Sequence, residues 1–266
     1  MANAPIARRR RALTSERARW VRQSGHNDAG EFAIAIGLTR GYENDLQAKK
    51  DVIDLSGDSY SVKSGEKKWQ VFLYGKSRFQ RDDAFRVMNG MGDLLIACID
   101  AFPPTFAEYE ADKMAGKERL RVHMRALAEK LQEKSRMRAF LNKSLFNGGE
   151  VNYLAVKDGG RFHVFSSRDV IDVFGESLEV CNSRSRTGGQ VSEQKVLFRY
   201  KGLNLGELEM RNDSEIHYAE IRFNMIKPKV TALLFEKIPQ TGAYGDRVIV
   251  YGSAAKKFGR WKKARG

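Results

Sequence analysis

The spacing of apolar and polar positions changes near residue 150. Before it, the clearest signal is helical. Between Thr105 and Phe146, Leu120, Met124, Leu127, Leu131 and Phe140 recur close to a 3.6-residue period, with Glu, Lys and Arg on the other face. Gly116 is the expected break between two helices there. The longest apolar run, Leu94 to Phe102, suits a buried helix turn or strand and is too short to span a bilayer. From Val151 onward the period is mostly two: "VNYLAVKD", "GRFHVFS", "KVLFRYKG", "LGELEMRND", "HYAEIRFNM", "KVTALLFEKI" and "DRVIVYG" read as strands. They are interrupted by a short helix, "SRDVIDVFGES", capped by Ser166 or Ser167.

The front of the chain reads as a basic arm over residues 1–13, then a helix starting at Thr14 or Ser15. A second helix follows, capped by Asn27 or Asp28 and ending near Gly37 or Gly41. "DVIDL" and "SYSVKS" are β-rich and flank Ser56-Gly57-Asp58, a turn signal. "WQVFLY" fits a strand, or the start of a helix carrying Trp69, Phe72, Leu73 and Phe79. The class is therefore α+β, with a β-rich C-terminal half. Segments 1–104, 105–150 and 151–266 form one continuous domain, or a core with a lobe.

Charge narrows the partners. Across 266 residues, 47 Lys and Arg oppose 33 Asp and Glu, a net charge of +14. That is the footprint of a polyanion binder. No amphipathic helix pairs a basic face with a Trp/Phe/Leu face, so nucleic acid is favoured over a membrane surface. The N-terminal basic cluster lacks a following apolar segment, so the expectation is an intracellular, cytoplasmic protein. Cys98 and Cys181 lack metal or disulfide spacing, and the four histidines form no ligand pair. GxxxxGK[ST] and GxSxG are absent, which argues against ATP-driven work and acyl transfer.

The chemistry concentrates in "KKDVIDLSGDSYSVKSGEKKWQ", Lys49 to Gln70. Phosphodiester hydrolysis assisted by Mg²⁺ needs oxygen ligands for the ion and a cation near the scissile phosphate. Asp51 opens the first strand, while Ser61 and Lys63 share one face of the second and Val62 points the other way. A charged edge hairpin is the competing reading.

Asp51, Ser61 ten positions on, and Lys63 resemble the PD-(D/E)xK nuclease signature, with Lys50 in place of proline and Ser61 in place of the second acid. The serine form is similar to that of some type II restriction endonucleases, in which a glutamate elsewhere supplies the missing charge. Here "LYGKSR", where those relatives place it, has none; Glu31, Glu43, Glu66, Asp54 and Asp58 are the alternatives, with Glu31 and Glu43 preferred. Gln70 and Tyr74 are similar to the QxxxY accessory motif of exonuclease-like branches, which would lie on a helix. The resemblance covers residues 31–80. It implies a restriction-endonuclease-like mixed central sheet flanked by helices, with Asp51, Ser61, Lys63 and Gln70 catalytic and Asp51, Glu31 and Glu43 around Mg²⁺. It further implies double-stranded DNA as substrate, a homodimer for a palindromic site, and a cognate DNA methyltransferase in the same cell. The alternatives are a non-catalytic DNA- or RNA-binding protein and a structure-specific nuclease with the same core.

Other basic and polar groups suit DNA contact. "SRSRTGGQ" offers Arg184, Arg186 and Gln190 for base edges; Arg211 and Asn212 sit on a strand; Lys256, Lys257 and Arg260 lie in a basic tail with Trp261. Glu207, Glu209, His217 and Glu220 form a rival acidic site, more simply explained as a solvated sheet face with cross-strand ion pairs.

Overall fold

Alternation, turn chemistry and amphipathic spacing build the elements. The computed structural model of the chain describes residues 25, 27–38, 43–45, 49–185 and 191–258. Helix α1 covers residues 27–35, and its chain turns at Gly37 (φ 87°). Four strands follow: β1 (Glu43–Asp45), β2 (Lys50–Ile53), β3 (Ser59–Lys63) and β4 (Lys68–Tyr74). The β2–β3 turn forms where Ser56-Gly57-Asp58 predicts it: Gly57 adopts φ 80°, a left-handed value that glycine takes without a Cβ penalty.

Helices then dominate: α2 (Lys76–Arg81), α3 (Asp83–Arg86), α4 (Met91–Asp100), α5 (Phe106–Ala111), α6 (Lys113–Gln132) and α7 (Lys134–Phe146). The C-terminal half comprises β5 (Tyr153–Asp158), β6 (Arg161–Ser166), α8 (Ser167–Ser177), β7 (Glu179–Asn182), β8 (Lys195–Tyr200), β9 (Leu203–Arg211), β10 (Glu220–Ile226), α9 (Lys227–Lys237), β11 (Gln240–Tyr244) and β12 (Val248–Tyr251). The α+β class holds. Ser166 caps α8 by accepting from the Asp169 amide at 3.1 Å.

Two expectations give way. "KVTALLFEKI" is helix α9, not a strand; Pro228 sits in its first turn, where a missing N–H costs nothing. Gly116 does not break the long helix but lies inside α6. It is buried there because a Cβ would stand 3.2 Å from the Phe102 ring and 3.3 Å from the Tyr109 ring. The breaks fall at Asp112 and Glu133, and Asp112 caps α6 through the Ala115 amide at 3.0 Å.

The strands form two sheets rather than one. The first has seven strands in the order β1-β2-β3-β5-β6-β12-β11, mixed because β3 runs parallel to β5 and β12 parallel to β6. The second is antiparallel, β4-β10-β9-β8-β7. One apolar cluster lies between the sheets and helices α4, α6 and α7, drawing on Phe72, Leu127, Phe140, Leu154, Phe198 and Phe223. Because it runs from Trp69 to Tyr251, the central helical segment and the C-terminal half share one core. A smaller cluster covers the other face of the mixed sheet, where Phe32 and Ile36 of α1 meet Tyr60, Ala155, Phe162 and Phe258. No helix among the described residues is long and apolar enough to cross a membrane.

Candidate functional site

The hairpin strands pair antiparallel with Val52 opposite Tyr60 and Ile53 opposite Ser59, which sets Asp51 across from Ser61. Val52, Tyr60 and Val62 pack toward α1. Alternation therefore turns Asp51, Ser61 and Lys63 to the opposite face, toward α7 and β4. There Asp51 Oδ2 accepts from the Val62 amide at 2.7 Å and from the Ser61 hydroxyl at 3.3 Å, and lies 3.8 Å from Lys63 Nζ. Ser61 is buried, whereas the side chains of Asp51 and Lys63 keep 23% and 22% of their surface, enough for a ligand to reach. Asp51 Oδ1 has no hydrogen-bond partner among the described residues, leaving its lone pairs available.

Around this pair stand further cations. Lys49, two residues before Asp51, adopts φ 62° and donates from Nζ to the carbonyls of Val71 (2.9 Å) and Ser144. Burial pushes its amine down to about 7, and the charges of Lys63, Lys143 and Arg78 push the same way, with Asp51 opposing them. Arg78 on α2 lies 5.3 Å from the Tyr74 ring centroid, and Lys49 Nζ lies 5.9 Å from the same centroid. Lys143 on α7 and Arg78 both reach Asp82, at 3.0 Å and 3.6 Å.

The other aspartates of the hairpin do different work. Asp54 Oδ1 accepts from Ser56 N (2.9 Å), Ser56 Oγ (2.7 Å) and Asp58 N (3.1 Å). Its Oδ2 accepts from the Tyr60 hydroxyl at 3.1 Å and pairs with Lys257 at 3.0 Å. Burial alone would raise the Asp54 carboxyl, but hydrogen bonds from Ser56 and Lys257 and the Lys257 charge outweigh it and hold it below the ordinary range. Asp58 also pairs with Lys257. Both acids thus hold the turn and anchor the C-terminal helical turn at residues 255–258.

Several predicted partners are placed elsewhere. Glu31 lies on α1, across the sheet from Asp51, and pairs with Lys157 (3.0 Å) and Arg247 (2.8 Å); hydrogen bonds from these two cations hold its carboxyl below the ordinary range. It does not join Asp51, because the mixed sheet stands between them. Glu43 is on β1, opposite Ile53, and its side chain lies outside the described structure. Gln70 is exposed on strand β4, opposite Asn224, so the QxxxY spacing does not fall on a helix. Tyr74 instead borders the Asp51 site through Lys49 and Arg78.

Among the DNA-contact candidates, Lys257 is buried in its pairing with Asp54 and Asp58 and cannot reach a groove. Asn212 spends its side-chain carbonyl on the Ala219 amide at 2.8 Å, closing the β9–β10 turn instead of reading a base. Arg211 pairs with Asp213 at 2.8 Å. Arg184 and Lys256 are exposed, and Arg186, Gln190 and Arg260 lie outside the described residues. The rival acids form cross-strand ion pairs: Glu207 with Lys68 and with Lys195 (3.2 Å), Glu209 with Lys195 and with Arg222 (Nε at 3.1 Å). His217 and Glu220 pair at 3.3 Å at the turn.

The fit to a divalent cation rests on Asp51. No group of three or more His, Cys, Asp or Glu side chains among the described residues is placed to hold a metal ion. One carboxylate with a free oxygen suits Mg²⁺, which keeps most of its waters and binds through one or two carboxylates plus substrate phosphate. Arg78 and Lys143 were missed from the sequence. Nothing local marks them, since each reaches the site only when α2 and α7 pack against β4. No protein-family model, no curated protein and no solved structure matches the chain.

Proposed function

We propose that the chain is a Mg²⁺-dependent endonuclease that hydrolyses phosphodiester bonds of double-stranded DNA, in the manner of a type II restriction enzyme with a PD-(D/E)xK-like core. The observation that supports this most is the convergence of Asp51, Ser61 and Lys63 on one accessible sheet face beside further cations. In this reading Asp51 would hold the metal ion, which would supply charge neutralisation at the phosphate. The Val62 amide and Ser61 hydroxyl fix the Asp51 carboxylate through Oδ2. Lys63 places its ammonium where negative charge builds on the phosphate oxygens. Cutting both strands of a palindrome calls for a symmetric homodimer, and survival of the host genome calls for a methyltransferase of matching specificity, both in the cytoplasm.

Plasmid DNA incubated with the protein in Mg²⁺ should give discrete fragments that vanish with EDTA. Asp51→Asn and Lys63→Met should each lower cleavage at least about 100-fold, the scale on which loss of one charge-stabilising group acts, while salt-sensitive DNA binding remains. Cleavage that survives both substitutions would sink this assignment of the site. A second reading, a basic nucleic-acid-binding protein without catalysis, is favoured by the lone carboxylate at Asp51. It predicts salt-sensitive binding with no metal-dependent cutting.

A further inference from the structure

Next to the Asp51–Lys63 pair, three elements bring cations together that the nuclease signature does not include. Arg78 comes from α2, Lys143 from α7, and Lys49 from the residue before β2. The links between them are direct. Lys49 binds the main chain at Ser144, the residue after Lys143, and shares the Tyr74 ring with Arg78. Arg78 and Lys143 meet at Asp82. With Lys63, Arg78 and Lys143 set three cations against two carboxylates, Asp51 and Asp82, beside the buried Lys49 amine.

Such an excess of positive charge, partly out of water, attracts an anion. Asp82 cannot satisfy it. Its side chain keeps only 9% of its surface, it caps α3 through the Ala84 amide at 3.2 Å, and it meets Arg78 at only 3.6 Å. A guanidinium carries five N–H donors in a planar fork. The long contact with Asp82 and a hydrogen bond with the Tyr74 hydroxyl leave further N–H donors to grip a tetrahedral oxyanion. Lys143 is differently made: its side chain is only 10% exposed and is aimed by Asp82 and by Asn147 Oδ1 at 2.9 Å. It supplies fixed charge instead of flexible reach. Asp82 therefore reads as the residue that orients both cations.

We propose that Arg78 and Lys143 form a second phosphate-binding position, which grips the DNA backbone next to the phosphodiester at Asp51 and Lys63. The proposal rests on the nuclease reading for the identity of the bound strand. It assigns substrate-binding roles to two residues outside the motif and makes Asp82 a positioning residue. The site would then hold two phosphates of one strand, so that affinity depends on continuous backbone and not on a single phosphate group.

The test is binding of a fluorescein-labelled 20-base-pair duplex by anisotropy, in EDTA so that no cutting intervenes, across a range of KCl concentrations. Each phosphate contact removed lowers the slope of log affinity against log salt by about one. Arg78→Gln and Lys143→Gln are each expected to lower the slope by about one and to weaken binding roughly 5- to 30-fold at low salt, with the loss similar on unrelated sequences. Arg78→Lys and Lys143→Arg, which keep the charge, should restore the slope. Unchanged slopes in both glutamine variants overturn the proposal. If Lys143→Gln melts early, the half-exposed Arg78 pair of variants decides. Plasmid cleavage by the wild type is scored in parallel: normal cleavage with unchanged slopes fails only this proposal, whereas absent cleavage with lowered slopes fails only the nuclease reading.

Discussion

Asp51 and Asp54 stand three positions apart, yet one faces a ligand and the other faces its own protein. Asp54 is fully buried, and its two oxygens collect donors from Ser56, Asp58, Tyr60 and Lys257. Removing one member of a buried charge pair costs about 3–5 kcal/mol where the other is left uncompensated, and Asp58 keeps part of the compensation for Lys257. Asp54→Ala should lose stability on that scale in urea unfolding, and Asp54→Ala with Lys257→Met should regain much of it. If the double variant is no more stable than the single, the pair is not the anchor. The pH dependence carries the same sign. The folded carboxyl titrates below its unfolded value, so its contribution is present above the ordinary Asp range and is lost as the pH falls through the folded value.

At the scale of elements, the helical middle is set by close approaches that its pattern only partly reveals. Gly92 in α4 lies against the main-chain carbonyl of Phe85, so an added methyl group would strike backbone that cannot rotate away. Gly92→Ala should therefore cost about 1–3 kcal/mol despite the better helix propensity of alanine, as a lowered melting temperature would record. A variant as stable as the wild type would show that α3 and α4 can slide apart. The same logic explains why Gly116 misleads: glycine suggests a helix break, but here it makes room for Phe102 and Tyr109. Strand β4 and helix α9 show the limit of short apolar runs. "WQVFLY" and "KVTALLFEKI" are both short apolar-rich runs, and sheet pairing with β10 makes one a strand, while Pro228 opens a helix in the other.

For the molecule as a whole, Lys49 joins the two sheets across the candidate site, since it directly precedes β2 of the mixed sheet and binds Val71 of the antiparallel one and Ser144 of α7. Its amine is held at about 7 against an ordinary 10.5, chiefly by burial. Between these values the unfolded chain binds more protons than the folded one. The cost of burying this amine thus shrinks as the pH rises from about 7 to 10.5, so stability rises across that window and the term is flat below it. Guanidinium unfolding at pH 7.5 and 9.5 should show that rise in the wild type and a smaller one in Lys49→Met. Equal slopes would mean that the amine is not desolvated.

The sequence by itself determined the α+β class, the β2–β3 hairpin with its Ser56-Gly57-Asp58 turn, the cap at Ser166, and the sharing of one face by Ser61 and Lys63. Each of these depends on residues close in the chain, where period and turn chemistry act directly. Only the tertiary structure decided that Glu31 pairs with Lys157 behind the sheet, that Lys257 is buried beneath the hairpin, and that Arg78 and Lys143 meet at Asp82. A charge alone does not record its partner. Which carboxylate a lysine meets is fixed by the packing of elements tens or hundreds of residues apart, here the 203-residue separation of Asp54 and Lys257.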